Sequence, residues 1–218
     1  MSVTFGFPVS LELSGRRVVV IGSLPVREGK VEALVAGGAI DVVVIATAPT
    51  GRLDELGSID GVRVERREWT PEDLDGAFVC IGWAADQTSR DAIARSARDR
   101  GVLVNIVDDI PNCDWAMPSI VRRGDLVLAI SSGGASPALT KRLRVRLEQE
   151  FGEEWAEVLA VIRSVREETM PLLPDLGERA RRWAAALEPE EAASMVRAER
   201  ADELRAVLRE RLLEGVSA

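Results

Sequence analysis

Short apolar runs, set apart by stretches of helical period, order the first half of the chain. Residues 17–21 (RVVVI) are almost entirely β-branched and stop at Gly22, after which 30–36 reads as a helix ended by Gly37-Gly38. Further strand-like runs occupy 41–46, 62–66, 77–81 and 102–106. Between the last two, Ala92, Ile93 and Ala97 recur at helical spacing within 88–100. Runs that are apolar on both faces and separated by helices imply strands covered on both sides. The expected architecture is a parallel, doubly wound α/β sheet of Rossmann type.

The pattern changes after Pro111. Residues 119–123 and 126–131 are two β-like runs joined by Arg123-Gly124-Asp125, a hairpin signal foreign to a right-handed βαβ series. A hairpin appended to an open sheet often serves subunit pairing. Ser136-Pro137 then offers a capping residue followed by proline at the first helical position, with Leu139, Leu143 and Leu147 spaced four apart behind it. From there the chain reads as helices punctuated by Pro171, Pro174, Gly177 and Pro189. No internal repeat is evident.

Composition removes several chemistries. Among 218 residues there is no histidine, so Ser-His-Asp and Cys-His mechanisms and imidazole metal sites are excluded. There is no tyrosine either, which excludes a Tyr-x-x-x-Lys acid. Acid and base work is left to Asp, Glu, Lys or Cys. Cys80 and Cys113, far apart, make neither a disulfide framework nor a zinc cluster, and no metal site is expected. The sequence shows no apolar run long enough for a membrane span and no secretory pattern at its start, so the expected location is the cytoplasm, away from membranes.

Charge is uneven. The chain carries a formal charge of −8, yet 118–147 holds six basic residues (Arg122, Arg123, Lys141, Arg142, Arg144 and Arg146) against Asp125 alone. Residues 148–218 hold ten basic and seventeen acidic residues. This suits a polyanionic ligand at the first segment and a solvated helical layer at the second, or, equally on charge alone, a solvated helix face at both. Nucleic acid is not expected, because the total is acidic and aromatic residues do not interleave with the basic ones.

Three places could carry chemistry. Gly22 stands where a Rossmann fold puts the first glycine of its phosphate-binding turn, but Ser23, Leu24, Pro25, Val26 and Arg27 follow in place of further glycines. The end of the second strand offers Ala46 and Thr47 rather than a ribose-binding acid. Asn105, Asp108 and Asp109 lie at the carboxyl end of the fifth strand, where open α/β sheets bind ligands; either aspartate could be a base or a turn-former before Pro111. Residues 131–137, SSGGASP, form a small-residue loop entering a helix. Its amides, around Ser132, Gly133, Gly134 and Ser136, suit a carboxylate or phosphate, and a plain connector reads equally well. The five tryptophans are expected mainly in cores.

Taken together, these segments resemble the precorrin-2 dehydrogenase family, the module that also forms the amino-terminal region of siroheme synthases. The likeness is carried by 7–16 (FPVSLELSGR), by 100–109 (RGVLVNIVDD) followed by 113–120 (CDWAMPSI), and by 129–139 (AISSGGASPAL). The resemblance implies NAD-dependent oxidation of precorrin-2 to sirohydrochlorin for siroheme or cobalamin, with ferrous iron insertion in some members. It implies a catalytic role for Asp108. It also implies cofactor contacts at Gly22, Pro25, Val26, Ala46, Thr47 and Asn105, and substrate contacts at Ser132, Gly133, Gly134, Ser136, Lys141 and Arg142. It implies a homodimer paired through the hairpin. The expected division is an NAD-binding domain at 1–112, a dimerisation and substrate segment at 113–147 and a helical domain at 148–218. The chain departs from the family at Leu24 and Arg27 in the glycine-rich turn and at 82–86 (GWAAD). Those departures suit the alternative of a tetrapyrrole-binding protein or chelatase without the redox step. Arg52 is a candidate partner for a 2′-phosphate, which would favour NADP.

Overall fold

The computed structural model describes residues 5–22, 28–48 and 51–216. It divides into two compact units, Met1–Met117 and Pro118–Ala218.

The first unit is built on five parallel strands: β1 (Arg17–Ile21), β2 (Asp41–Ile45), β3 (Val62–Glu65), β4 (Ala77–Gly82) and β5 (Leu103–Ile106), in the order β3-β2-β1-β4-β5. The helices α1 (Glu28–Ala36), α2 (Gly51–Leu56) and α3 (Gln87–Arg98) connect them. Alternating side chains sort the strands onto two cores. Val18, Val20, Val42, Val44, Val79 and Ile81 face Val31 and Leu34 of α1 and Leu53 and Leu56 of α2; Val19, Ile21, Val43, Ile45, Cys80, Val104 and Ile106 face Ile93, Ala94 and Ala97 of α3. This two-sided burial is the reason the strands read as unbroken apolar runs.

β5 is an edge strand, and the segment after it covers that edge. Asp114 donates its backbone amide to the Val104 carbonyl (2.8 Å) and accepts from the Val104 amide through its carboxylate (3.1 Å), while Arg98 holds the other carboxylate oxygen (3.0 Å). An otherwise open row of peptide groups is thereby satisfied.

The second unit opens with the expected hairpin, β6 (Ser119–Arg123) and β7 (Leu126–Ile130), paired antiparallel. Its two-residue loop has Gly124 at φ +56, the first central position that a type II′ turn reserves for glycine. α4 (Pro137–Glu150) follows, capped by the Ser136 hydroxyl, which accepts from the Leu139 amide. Then come α5 (Glu154–Thr169), α6 (Leu176–Ala186), α7 (Pro189–Arg197) and α8 (Ala201–Leu213). Val158, Val165, Met195, Val196, Leu204, Leu208 and Leu212 form their common core, with Trp155 and Trp183 packed against it. The hairpin and α4 fold in one unit with the later helices, and β6 packs on both α4 and α5. Among the described residues no helix is long and apolar enough to cross a membrane.

Candidate active site

In the order β3-β2-β1-β4-β5 the connections diverge between β1 and β4, and such a switch point opens a crevice at the carboxyl ends of the strands. Gly22 ends β1 there at φ +106, its amide donating to the Ile45 carbonyl (2.8 Å). Trp83 follows β4 on the other side, its amide donating to the Ile21 carbonyl (3.0 Å). Ala46 is buried beyond β2, with Thr47 exposed next to it. A left-handed glycine closing β1 and small residues at the end of β2 fit a dinucleotide. Pro25 and Val26, together with Leu24 and Arg27, lie outside the described residues.

Gly82 sets how near α3 comes to this edge. A Cβ there would lie 2.8 Å from Ile93 Cγ2 and 2.9 Å from Ile106 Cδ1, so the absence of a side chain lets the helix settle directly on β4 and β5. The first turns of α3 thereby reach the loop that leaves β5. Asp109, 8% exposed, accepts at Oδ2 from Gln87 Nε2 (2.8 Å) and Asn112 Nδ2 (3.0 Å). The same two amide nitrogens donate to Asp91 Oδ1, at 2.8 and 2.7 Å, and hold the Asp91 carboxyl below its ordinary range.

Asp108 is different in every respect. It is exposed, accepts no hydrogen bond among the described residues, and sits at φ +60, a left-handed conformation rare outside glycine. The two aspartates that the sequence leaves equivalent are therefore separated: Asp109 is bound into the loop, and Asp108 is presented at the strand edge.

Around them the site is tied down. Asn105, a cofactor candidate, is 8% exposed and donates its carboxamide to the Trp115 carbonyl (2.8 Å), with Cys113 Sγ at 3.6 Å. Cys113 Sγ also accepts from the Ile106 amide (3.2 Å) and lies near the Ile106 and Asp109 carbonyls, and burial raises the thiol above its usual value. Lys30 approaches from α1. Burial lowers its ammonium pKa, opposed by the fields of Cys113 and Asp108. Gln87, Asp91 and Asn112 were invisible as site residues in the sequence, where they are ordinary polar positions outside the segments that carry the resemblance. Arg52 is occupied: its guanidinium donates to Glu32 (2.5 Å) and Glu55 (2.9 Å).

In the second unit, Gly133 (φ +60) and Gly134 (φ +85) turn the loop in a way that side chains resist. The loop uses several of its own amides. Ser131 Oγ accepts from Gly133 N (3.1 Å), Ser132 Oγ from Ser136 N (3.0 Å) and the Ser132 carbonyl from Ala135 N (3.0 Å), so the expected row of free donors is reduced to the neighbourhood of Gly134. The basic segment also divides. Arg123 donates to the carbonyls of Arg122, Glu148 and Phe151 (2.9, 3.1 and 2.9 Å), capping the end of α4, and Arg144 pairs with Glu148. Both were counted toward a ligand and are structural. Lys141, Arg142 and Arg146 are exposed and make no ion pair among the described residues.

Comparison with known proteins accords with this geometry. The family model described as "Putative NAD(P)-binding" matches residues 9–119, and that described as "Sirohaem biosynthesis protein central" matches 123–150. The chain belongs to this NAD(P)-binding family. It is 34% identical to siroheme synthase 1 of Pectobacterium atrosepticum over 178 residues, covering 81% of this chain and 36% of that protein. It is also 34% identical to siroheme synthase 1 of Yersinia enterocolitica over 176 residues, 81% of this chain and 37% of that one. The chain thus spans little more than a third of these relatives. Its fold matches the solved structure of "SirC, precorrin-2 dehydrogenase" with a TM-score of 0.66 at 24% identity, covering 96% of this chain and 98% of that one.

Proposed function

We propose that this chain oxidises precorrin-2 to sirohydrochlorin with NAD, in the formation of siroheme. The observation that carries the reading is Asp108: an exposed carboxylate in a left-handed backbone conformation, without a hydrogen-bond partner among the described residues, at the carboxyl end of β5 in an NAD(P)-binding fold. The reaction removes a hydride and a proton from the substrate. NAD, when bound, accepts the hydride. Gly22 and the neighbouring end of β2 at Ala46 and Thr47 hold the dinucleotide by backbone approach, and the Asp108 carboxylate takes the proton. NAD is favoured over NADP because Arg52 is already paired with Glu32 and Glu55.

Precorrin-2 is a polycarboxylate, and Lys141 and Arg142 on α4, with the Gly134 region of the loop before it, are the cationic and donor groups proposed to hold it. Ferrous iron would be a further substrate, inserted with Asp108 assisting. Residues 113–147 would also serve homodimer pairing. The support is apolar surface left open in that segment, at Val127, Leu139, Leu143 and Val145. The proposed location is the cytoplasm. The test is Asp108→Ala: turnover should fall by at least about 10²-fold with folding intact, and normal turnover in a folded variant would overturn the assignment.

A further inference from the structure

Gln87, Asp91, Asp109 and Asn112 close a ring. Each carboxamide gives one N–H to Asp91 Oδ1 and one to Asp109 Oδ2, at 2.7–3.0 Å throughout. Gln87 and Asp91 stand one turn apart on α3; Asp109 immediately precedes, and Asn112 ends, the 3-10 turn Ile110–Asn112 that follows β5. Among the described residues no Lys or Arg pairs with either carboxylate of the ring. Two anions are brought together by four directional N–H groups, while Arg95 and Arg90 act on Asp91 only through their longer-range fields.

Such a device fixes position more than charge. Asp109 of the ring directly follows Asp108, whose left-handed φ of +60 is a conformation that a residue with a Cβ adopts only at a cost. A strained residue persists only where its surroundings over-determine it. Backbone bonds supply part of that constraint, from Asp109 N to the Ile106 carbonyl (3.2 Å) and from Asn112 N to the Asp109 carbonyl (3.0 Å). The ring adds to it, by anchoring the loop to a helix that Gly82 allows to lie close.

We infer that Gln87, Asp91, Asp109 and Asn112 are positioning residues, a clasp that holds Asp108 in its left-handed conformation and so places its carboxylate for proton removal. The inference rests on the role proposed above for Asp108. Because the clasp acts through geometry, its loss lowers the rate of the chemical step without weakening substrate or cofactor binding. Its members are not interchangeable. Asp109→Asn keeps an acceptor oxygen for both amides. Asn112→Asp, equal in size, removes two donors and sets a third carboxylate against the other two.

The experiment compares full-length wild type, Asn112→Asp, Asn112→Ala and Asp109→Asn with precorrin-2 and NAD. Asn112→Asp should lose about tenfold or more in kcat, with both KM values within about twofold of wild type, and Asp109→Asn should retain kcat within about threefold. Wild-type kcat in both Asn112 variants would overturn the clasp. Hydrogen–deuterium exchange keeps the test independent of activity. In Asn112→Ala the amides of 107–113 should exchange about tenfold faster, with those of β1 and β2 unchanged. Should wild type itself be inactive on precorrin-2, the functional reading fails while the exchange result still decides the clasp. Unchanged exchange at 107–113 would overturn it.

Discussion

Asp108 and Asp109 are neighbours in sequence and opposites in environment. The Asp109 carboxylate is buried under the amides of Gln87 and Asn112, whereas Asp108 stands exposed at φ +60 with no donor on it among the described residues. Substitutions at 108 should therefore separate stability from function. Asp108→Gly removes the strain of the left-handed conformation and should leave stability unchanged or raise it by about 0.5 kcal/mol, while turnover is lost. Asp108→Val should cost about 1–2 kcal/mol. Urea unfolding of both variants, beside their turnover, checks the contrast.

Gly82 should tolerate no side chain. The space a Cβ would need is filled by Ile93 and Ile106, so Gly82→Ala forces α3 away from the sheet and should cost about 1–3 kcal/mol. The measurement is the thermal midpoint. Because α3 carries Gln87 and Asp91, turnover should fall as well.

Much of this fold was readable in the sequence, since strands covered on both faces betray themselves as β-branched runs, and Ser136-Pro137 announces α4 by its capping chemistry. α2 was not readable, because six residues show too little of a helical period. Asp108 emerged through resemblance, but its difference from Asp109 lies in one backbone angle and in side-chain amides that only the folded chain brings to Asp109, from Gln87 on α3 and from Asn112 in the loop. Charge counting misled at Arg123, whose guanidinium spends its donors on helix carbonyls instead of a ligand. A cation's sequence context does not reveal which acceptors the fold will bring to it.

The divided basic segment gives a paired prediction. Arg123→Ala leaves the carbonyls at the end of α4 without their donor and should lower stability by about 2 kcal/mol. Arg142→Ala, at an exposed position, should change stability by less than about 0.5 kcal/mol. It should instead raise KM for precorrin-2 severalfold with kcat little changed, and more so with Lys141→Ala. Unfolding curves and steady-state kinetics on the same preparations distinguish the two roles.

Asp73 predicts an acid-labile element of the first unit. Arg67 donates to both of its oxygens (2.6 and 2.7 Å) and Thr70 N to one (2.7 Å), which holds the carboxyl below its ordinary value. A group whose folded pKa is lowered contributes its stability above the unfolded value, about 3.9, and loses it as pH falls through the folded one. Asp73→Asn should therefore be less stable than wild type by about 2 kcal/mol at neutral pH. The difference should shrink steadily below about pH 4. Urea unfolding across that range reads it directly.

The central claim is tested most directly by giving purified protein enzymatically generated precorrin-2 and NAD, and following reduced nicotinamide and sirohydrochlorin by absorbance in the same cuvette. The account predicts that both rise together, in equal amounts and in proportion to protein. Appearance of neither above the uncatalysed rate would contradict it, most pointedly if sirohydrochlorin were still bound, since the chain would then hold the tetrapyrrole without performing the oxidation.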